Sequence, residues 1–446
     1  MGKITRHPLL QRSDAIKRAL SLNGFTFYDN GSSRELVETD SSVELFREPE
    51  EVRSRQIITG DGSYSLRTRL LPVHLPLFPR VLPVKAAVAG RIYDGGDTQY
   101  PQRQRIEGVI ADTSITLTDL QTLWNNIARN IYGIASSASI KSGESDTFSI
   151  EVSKDGSTFT LGHTGPATWI ARSLMGISDP SVSVWIFAID VDNAALHDLH
   201  LSHRRELYDN RLSFIGSLED DTPAFGDSFT SHISDVMRNA GYVQYIGEAI
   251  YTSDAYVRMN MIQEAWDTNN NGVSLQEPLK GYNDPLTGET ELTGLPTVLA
   301  PALERAMSDN FAAGERSIKI FDISHIFKPG KDGNAPWEVT SLSAGAYGPD
   351  VSFRSFLGEV TTILRKLGIS NSFFIPTDMA IAYRQDQCMV ILDEKMKYLD
   401  GNCGHISPVA LKNFKIDCDG FMAQFEIPTL EKKAREEYGF IPWELR

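Results

Sequence analysis

Apolar residues recur along this chain at two spacings. Between Pro8 and Gly24, Ile16, Ala19, Leu20 and Leu22 fall near helical spacing, with Ser13 or Asp14 placed as an N-cap and Gly24 as a stop. From Thr118 to Tyr132, Leu120, Leu123, Trp124, Ile127 and Ile131 share one face behind a Thr118 or Asp119 cap. Residues 167–174, 228–242, 295–310 and 356–369 also read as helices. Strand-like stretches lie between them. Residues 64–93 are short apolar or alternating runs punctuated by proline and turning at Gly95-Gly96, and residues 148–161 fold back at Lys154-Asp155-Gly156-Ser157. Residues 316–327, 387–392 and 421–427 read as further strands, and the segment from Glu431 to Gly439 as a closing tail of mixed charge. Antiparallel strands mixed with covering helices predict an α+β fold.

The order of elements in the first half is repeated in the second, and the polar stretch 204–222 lies between them. A chain of 446 residues is about twice what one core usually organises, so two modules are expected, 1–205 and 206–446. The 43 basic and 58 acidic residues give a net charge of −15, which repels a phosphate backbone at long range. The N-terminus has no secretory pattern and no run of 18 apolar residues occurs, so a cytoplasmic protein without membrane association is expected. Cys388, Cys403 and Cys418 form neither an even set nor a CxxC pair and read as free, mostly buried thiols.

Specific strings resemble the phenylalanyl-tRNA synthetase family. His7-Pro8-Leu9 with the helix to Gly24-Phe25, the segment from Ser65 to His74, the hairpin from Gly90 to Asp112 and the helix from Ile115 resemble that family's catalytic α subunit. The segments 283–310, 318–327, 351–369 and 399–416 are similar to the core of its β subunit, a degenerate copy of the same fold. The resemblance implies two class II aminoacyl-tRNA synthetase-like modules, each a mainly antiparallel sheet flanked by helices. An internal α/β-like pairing, doubled by homodimerisation, is a further expectation.

The resemblance also assigns residues. Adenylate formation needs cations around the ATP α-phosphate, yet Asp94 follows Tyr93 where the family has an arginine. In the stretch 188–196, Asp190 and Asp192 stand where the family has glycines, and Ala195 where it has an arginine. Glu107 matches the glutamate that holds the substrate ammonium; Arg105 replaces a glutamine, Arg69 a histidine and Leu71 a serine, while Pro72 is retained. Gly162 and Gly165 match a turn that forms the pocket floor. Glu107 flanked by Arg69, Arg103 and Arg105 suggests an anionic or zwitterionic ligand, against the plainer reading that these charges only satisfy one another.

His197, His200 and His203, spaced i, i+3, i+6, could offer metal-binding imidazoles, and Asp267, Asn269, Asn271 and Gly272 imitate half a calcium loop with Pro278 at its twelfth position. A helix surface and a polar turn are the better readings, so no metal is expected. Cys403 and His405 match a structural turn. The leading expectation is a catalytically degenerate paralogue that binds an amino acid-like ligand or a macromolecular partner. The alternatives are an active ATP-dependent ligase for an unusual acidic substrate, with Arg91 or Arg103 taking the phosphate, and a non-catalytic binder of the tRNA acceptor end, which the acidic balance disfavours. No cofactor follows from the sequence; ATP and Mg enter only if the altered site works.

Overall fold

The computed structural model describes residues 6–28, 34–39, 55–96, 100–143, 146–216, 224–226, 228–252, 254–261, 272–281, 288–330, 336–377 and 382–438. The chain divides into two compact units, residues 8–207 and residues 208–446 together with 1–7. No helix among the described residues is long and apolar enough to cross a membrane.

The first unit opens with α1 (Pro8–Leu22) and β1 (Thr26–Phe27). A small sheet of β2 (Leu36–Glu38), β3 (Ile57–Ile58) and β4 (Tyr64–Leu66) follows. The stretch expected to continue extended beyond Leu66 turns helical instead, as α2 (Leu71–His74) and a 3-10 turn, Leu75–Leu77. The reason lies in Pro72 and Pro76, each in a first turn, where the missing N–H costs nothing and the fixed φ suits a helix. A long hairpin of β5 (Val84–Tyr93) and β6 (Gln102–Asp112) comes next, then α3 (Leu117–Tyr132). The cap of α3 is Thr116, ahead of the expected Thr118 or Asp119. Its hydroxyl accepts from the Asp119 N–H while the Asp119 carboxylate accepts from the Thr116 N–H, a reciprocal box that displaces either alternative.

The unit is completed by β7 (Ser137–Ser142), β8 (Phe148–Lys154), β9 (Ser157–Pro166), α4 (Trp169–Leu174), β10 (Ser183–Asp190) and α5 (Val191–Leu199). The β8–β9 turn places Asp155 at φ 50° and Gly156 at φ 80°, the left-handed pair a tight hairpin needs. Seven strands form one sheet in the order β1-β5-β6-β10-β9-β8-β7, antiparallel except for β1 on β5. One face is sealed by aromatic contacts: Phe187 meets Trp124 of α3 at 5.2 Å and Phe25 at 5.4 Å, both edge-on. Gly108 makes room for that ring, since a Cβ there would lie 2.4 Å from it. At the edge, Asn125 and Gln121 accept from the Ala138 and Ile140 N–H groups at 2.7 and 2.9 Å, so α3 occupies part of the exposed side of β7.

Of the polar stretch 204–222, Arg204–Tyr208 is a 3-10 turn and α6 (Leu212–Ile215) a single helical turn; 217–222 lie outside the described residues. The second unit continues with α7 (Phe229–Asn239), β11 (Val243–Gln244), α8 (Ala255–Arg258), a ribbon of β12 (Val273–Lys280) and β13 (Glu291–Leu295), and α9 (Ala300–Ala312). The hairpin of β14 (Ile318–Lys328) and β15 (Trp337–Tyr347) precedes α10 (Phe353–Lys366). Then follow β16 (Ser372–Pro376), β17 (Tyr383–Asp393), β18 (Tyr398–Ile406), α11 (Pro408–Asn413), β19 (Gly420–Glu426) and α12 (Ile427–Tyr438). The expected closing tail is thus largely a helix, because Leu430 and Ala434 bury on one side and Lys433 reaches Asp393 and Glu394 at 3.2 Å. The sheet order is β11-β14-β15-β19-β18-β17-β16, with β11 parallel to β14. Both units are α+β, and the two sheets share one topology.

In α9, Glu304 is fully buried and neither carboxylate oxygen has a hydrogen-bond partner. Burial alone pushes its pKa well above the usual carboxylate range. The folded chain therefore keeps a proton that the unfolded chain releases near pH 4 to 5, so this group costs stability increasingly as pH rises from there toward its folded pKa. Glu304→Met is expected to stabilise the protein by about 2 kcal/mol or more at pH 8 and by less at pH 4. Thermal melts of both proteins across that range check it; a difference independent of pH would show that Glu304 ionises normally.

Candidate functional site

The centre of the candidate site is Glu107, fully buried in the middle of β6. Its Oε2 accepts hydrogen bonds from the Leu70 and Leu71 N–H groups, both at 2.9 Å. Those amides are free to donate because they open α2, where no preceding turn offers a carbonyl. Glu107 Oε1 has no hydrogen-bond partner. Two guanidinium groups approach it, Arg105 Nη1 at 3.7 Å and Arg69 Nη1 at 3.8 Å. Both distances bring charge without a hydrogen bond. The Arg105 side chain keeps 18% of its surface exposed, and its guanidinium makes no hydrogen bond to a described residue.

Strand register explains the neighbourhood. Residues directly opposite in an antiparallel pair share a face. Glu107 stands opposite Val88 on β5 and Ala188 on β10, and Ala188 stands opposite His163 on β9. Arg105, two residues along, stands opposite Gly90 and Asp190. A Cβ on Gly90 would meet Arg67 Nη2 at 2.8 Å and Leu70 Cδ2 at 3.2 Å, so the glycine makes room for the Arg67 guanidinium and the Leu70 side chain over the sheet. His163 keeps an exposed edge, yet loss of solvation lowers its pKa, and the charges of Arg105 and Arg69 lower it further against Asp190 and Glu151. Burial brings Arg69 down to about 10, with Glu107 opposing and Arg105 adding to the shift.

The expected arginine cluster divides. Arg69 and Arg105 flank Glu107. Arg103 instead pairs with Asp94 at 2.6 Å, and the other Asp94 oxygen accepts from the Gly96 N–H at 2.9 Å. Arg91 stands opposite Gln104, one residue out of phase with the Glu107 row; it reaches Gln102 Oε1 at 3.4 Å and Glu35 Oε1 at 3.7 Å. Glu35 also accepts the Tyr93 hydroxyl at 2.5 Å. Gly165 lies on the His163 face of β9, whereas Gly162 is out of phase with it and opposite Ile189. A Cβ on Gly162 would lie 2.1 Å from the Ala188 carbonyl oxygen, so close strand approach requires that glycine.

Asp190 caps α5 by accepting from the Asn193 N–H at 3.2 Å. Asp192, fully buried, accepts from the Gln104 N–H at 3.0 Å and pairs with Arg204 at 3.2 Å, while Ala195 is buried. The three histidines do not share a helical face. Helix α5 ends at Leu199, His200 is left-handed at φ 54°, and His197 stacks on Phe159 at 4.1 Å and meets Ser157 Oγ at 2.7 Å. The calcium-like run lies outside the described residues up to Asn271. His405 meets Asp419 at 2.9 Å, and burial pushes the Cys403 thiol far up, in keeping with a structural turn.

Sequence reasoning missed the Leu70 and Leu71 amides and His163. Pro72 was the available signal for the amides, since a proline in a first turn marks the free N–H groups beside it. His163 had none, because its place depends on the pairing of β9 with β10, which brings it opposite Ala188 and so onto the Glu107 row.

The second sheet allows an internal comparison. Its parallel edge pairs Val243 with Ile320 as the first pairs Thr26 with Ala86, which puts Ser343 at the level of Glu107, Ser341 at that of Arg105, and Asp322 at that of Val88. Asp322 accepts the Ser324 hydroxyl at 2.7 Å, and Gln424 accepts from the Leu299 N–H at 3.2 Å. The second sheet carries a polar layer there without a guanidinium pair.

A mainly antiparallel sheet with a parallel edge strand, covering helices and a buried glutamate on its long hairpin defines a class II aminoacyl-tRNA synthetase-like protein. Residues 223–427 match the family described as the phenylalanyl tRNA synthetase beta chain CLM domain. The phenylalanine–tRNA ligase alpha subunit of Caldanaerobacter subterraneus subsp. tengcongensis is 25% identical over 235 residues, covering 47% of this chain and 68% of that protein. The alpha subunit from Rhodopirellula baltica is 24% identical over 168 residues, covering 36% of this chain and only 48% of that protein. Among solved structures, the Desulfitobacterium hafniense pyrrolysyl tRNA synthetase PylSc gives a TM-score of 0.36 at 14% identity, covering 47% of this chain and 68% of that one. By these matches the chain is phenylalanyl-tRNA synthetase-like.

Because Arg105 depresses the His163 pKa, Arg105→Ala is expected to move the His163 titration midpoint upward. Ring-proton NMR across pH 4–8 reads this out, and an unmoved midpoint would place Arg105 away from His163.

Proposed function

We propose that this chain is a degenerate phenylalanyl-tRNA synthetase-like paralogue whose first unit keeps an amino acid-recognition site at Glu107 without ATP-dependent adenylate formation. The observation that carries this reading is the Asp94–Arg103 pair at 2.6 Å on the β5–β6 hairpin. An acid occupies the position where the family's hairpin presents a cation, and Arg103, the arginine nearest the hairpin end, is engaged by it. Arg91 is directed to Glu35 and Gln102, and Arg204 to Asp192. These residues do not fit a triphosphate with Mg, because every acid added near the phosphates must be overcome before the ligand binds. Glu107 supports the retained half of the reading. A buried carboxylate with one oxygen anchored by two amides and the other without a hydrogen bond is suited to accept from an ammonium group.

A second reading, an active ligase of altered specificity, draws on the uncommitted Arg105 guanidinium. Calorimetry of ATP with Mg on the whole chain separates the two. No heat of binding, with or without amino acids present, is expected. Stoichiometric ATP binding that is lost in Arg103→Ala would establish the ligase reading instead.

A further inference from the structure

We propose that the Glu107 site selects an α-amino acid with a second, acidic group, and that Arg105 is the residue that determines this specificity. The inference rests on the amino acid-recognition reading above and narrows its ligand class.

The site has two hydrogen-bonding capacities left unused, 3.7 Å apart. Glu107 Oε1 is an acceptor, fully buried and without a hydrogen-bond partner. Arg105 is a planar set of donors, none of them hydrogen-bonded to a described residue, with part of its surface open to solvent. Left so, the carboxylate oxygen carries the full desolvation cost of an unmet acceptor. A ligand ammonium would meet Oε1, and a ligand carboxylate would meet the fork of Arg105 in bidentate fashion.

Charge then decides which amino acid fits. Arg69 stands 3.8 Å from the same Oε1, so two guanidinium groups share one buried carboxylate and the trio carries a net positive charge. The two cations oppose each other, as the effect of Arg105 on Arg69 shows. A neutral zwitterion leaves that surplus in place, whereas a dicarboxylic amino acid cancels it. Asp190 and Glu151 are the other charges facing this region. Each already accepts a hydrogen bond, Asp190 from the Asn193 N–H and Glu151 from the Thr160 hydroxyl at 2.8 Å, and neither forms an ion pair with Arg105, although Asp190 stands opposite it on β10. Access to the site is at Arg105 and Arg69, whose side chains keep 18% and 19% of their surface exposed. An aromatic side chain could stack on Arg105 but would leave the surplus positive charge uncompensated.

The test is isothermal calorimetry of the full chain with L-glutamate, L-aspartate, L-glutamine, L-asparagine and L-phenylalanine. The acidic pair is expected to bind at least about tenfold more tightly than their amides, the discrimination typical of one charge-assisted contact. Arg105→Gln is expected to remove most of that preference while leaving affinity for the amides within a few-fold. Its side chain is partly exposed, so the fold should survive, which a thermal melt verifies. Glu107→Gln should weaken all five ligands. Equal binding of acids and amides, or tighter phenylalanine binding, would overturn the specificity inference and leave the recognition reading standing. No binding of any amino acid to the folded chain would remove both.

Discussion

The first unit is organised around one constraint: a carboxylate buried at the centre of a sheet must be compensated on the spot. Burying an isolated charge is among the costliest things a fold can do. Here the compensation comes from main-chain donors, because Pro72 starts a helical turn directly over β6 and leaves the amides of Leu70 and Leu71 pointing at Glu107. Gly90 adds to this by leaving room over the sheet for the Arg67 guanidinium and the Leu70 side chain. The arginines then have a secondary role. They lie beyond hydrogen-bonding distance of Oε1, so they supply field without consuming the oxygen's remaining lone pairs.

Much of this was legible in the sequence, and what was not has physical reasons. The long helices were visible because their apolar stripes are regular, as from Leu120 to Ile127 in α3. The α+β class followed from the mixture of periods. The arginine cluster was read from sequence proximity, and there it failed selectively. Arg103 and Arg105 are two residues apart and share a strand face, but Arg103 lies beside an acid at the hairpin end and is drawn to it. Arg91 sits one residue out of phase with the Glu107 row, which strand alternation turns away. The α2 entry was misread as strand because prolines were taken as interruptions, when at these positions they begin helical turns.

The two sheets show how one topology supports different interiors. Corresponding levels hold Glu107 with Arg105 in one unit, and Ser343 with Ser341 beside Asp322 in the other. The serine hydroxyls in the second sheet are neutral, and its acid has moved one strand over, where the Ser324 hydroxyl meets it. The comparison separates what the fold requires, which is the strand order, from what a site requires, which is a particular side chain with its own local support.

Two like-ordered sheets in one chain also create a hazard during folding, since a strand of one could dock in the other. The packing at Gly108 opposes it. The residue at the same level of the second sheet is Ala344, which stands opposite Ala423. Were β15 to take the place of β6, the methyl group of Ala344 would enter the space where the ring of Phe187 leaves only 2.4 Å. In the reverse exchange, Gly108 beside Ala423 would leave a void. A single hydrogen in place of a methyl group thus acts as a mark of strand identity, directing each hairpin to its own partner and away from the exchanged assemblies to which repeated domains are prone.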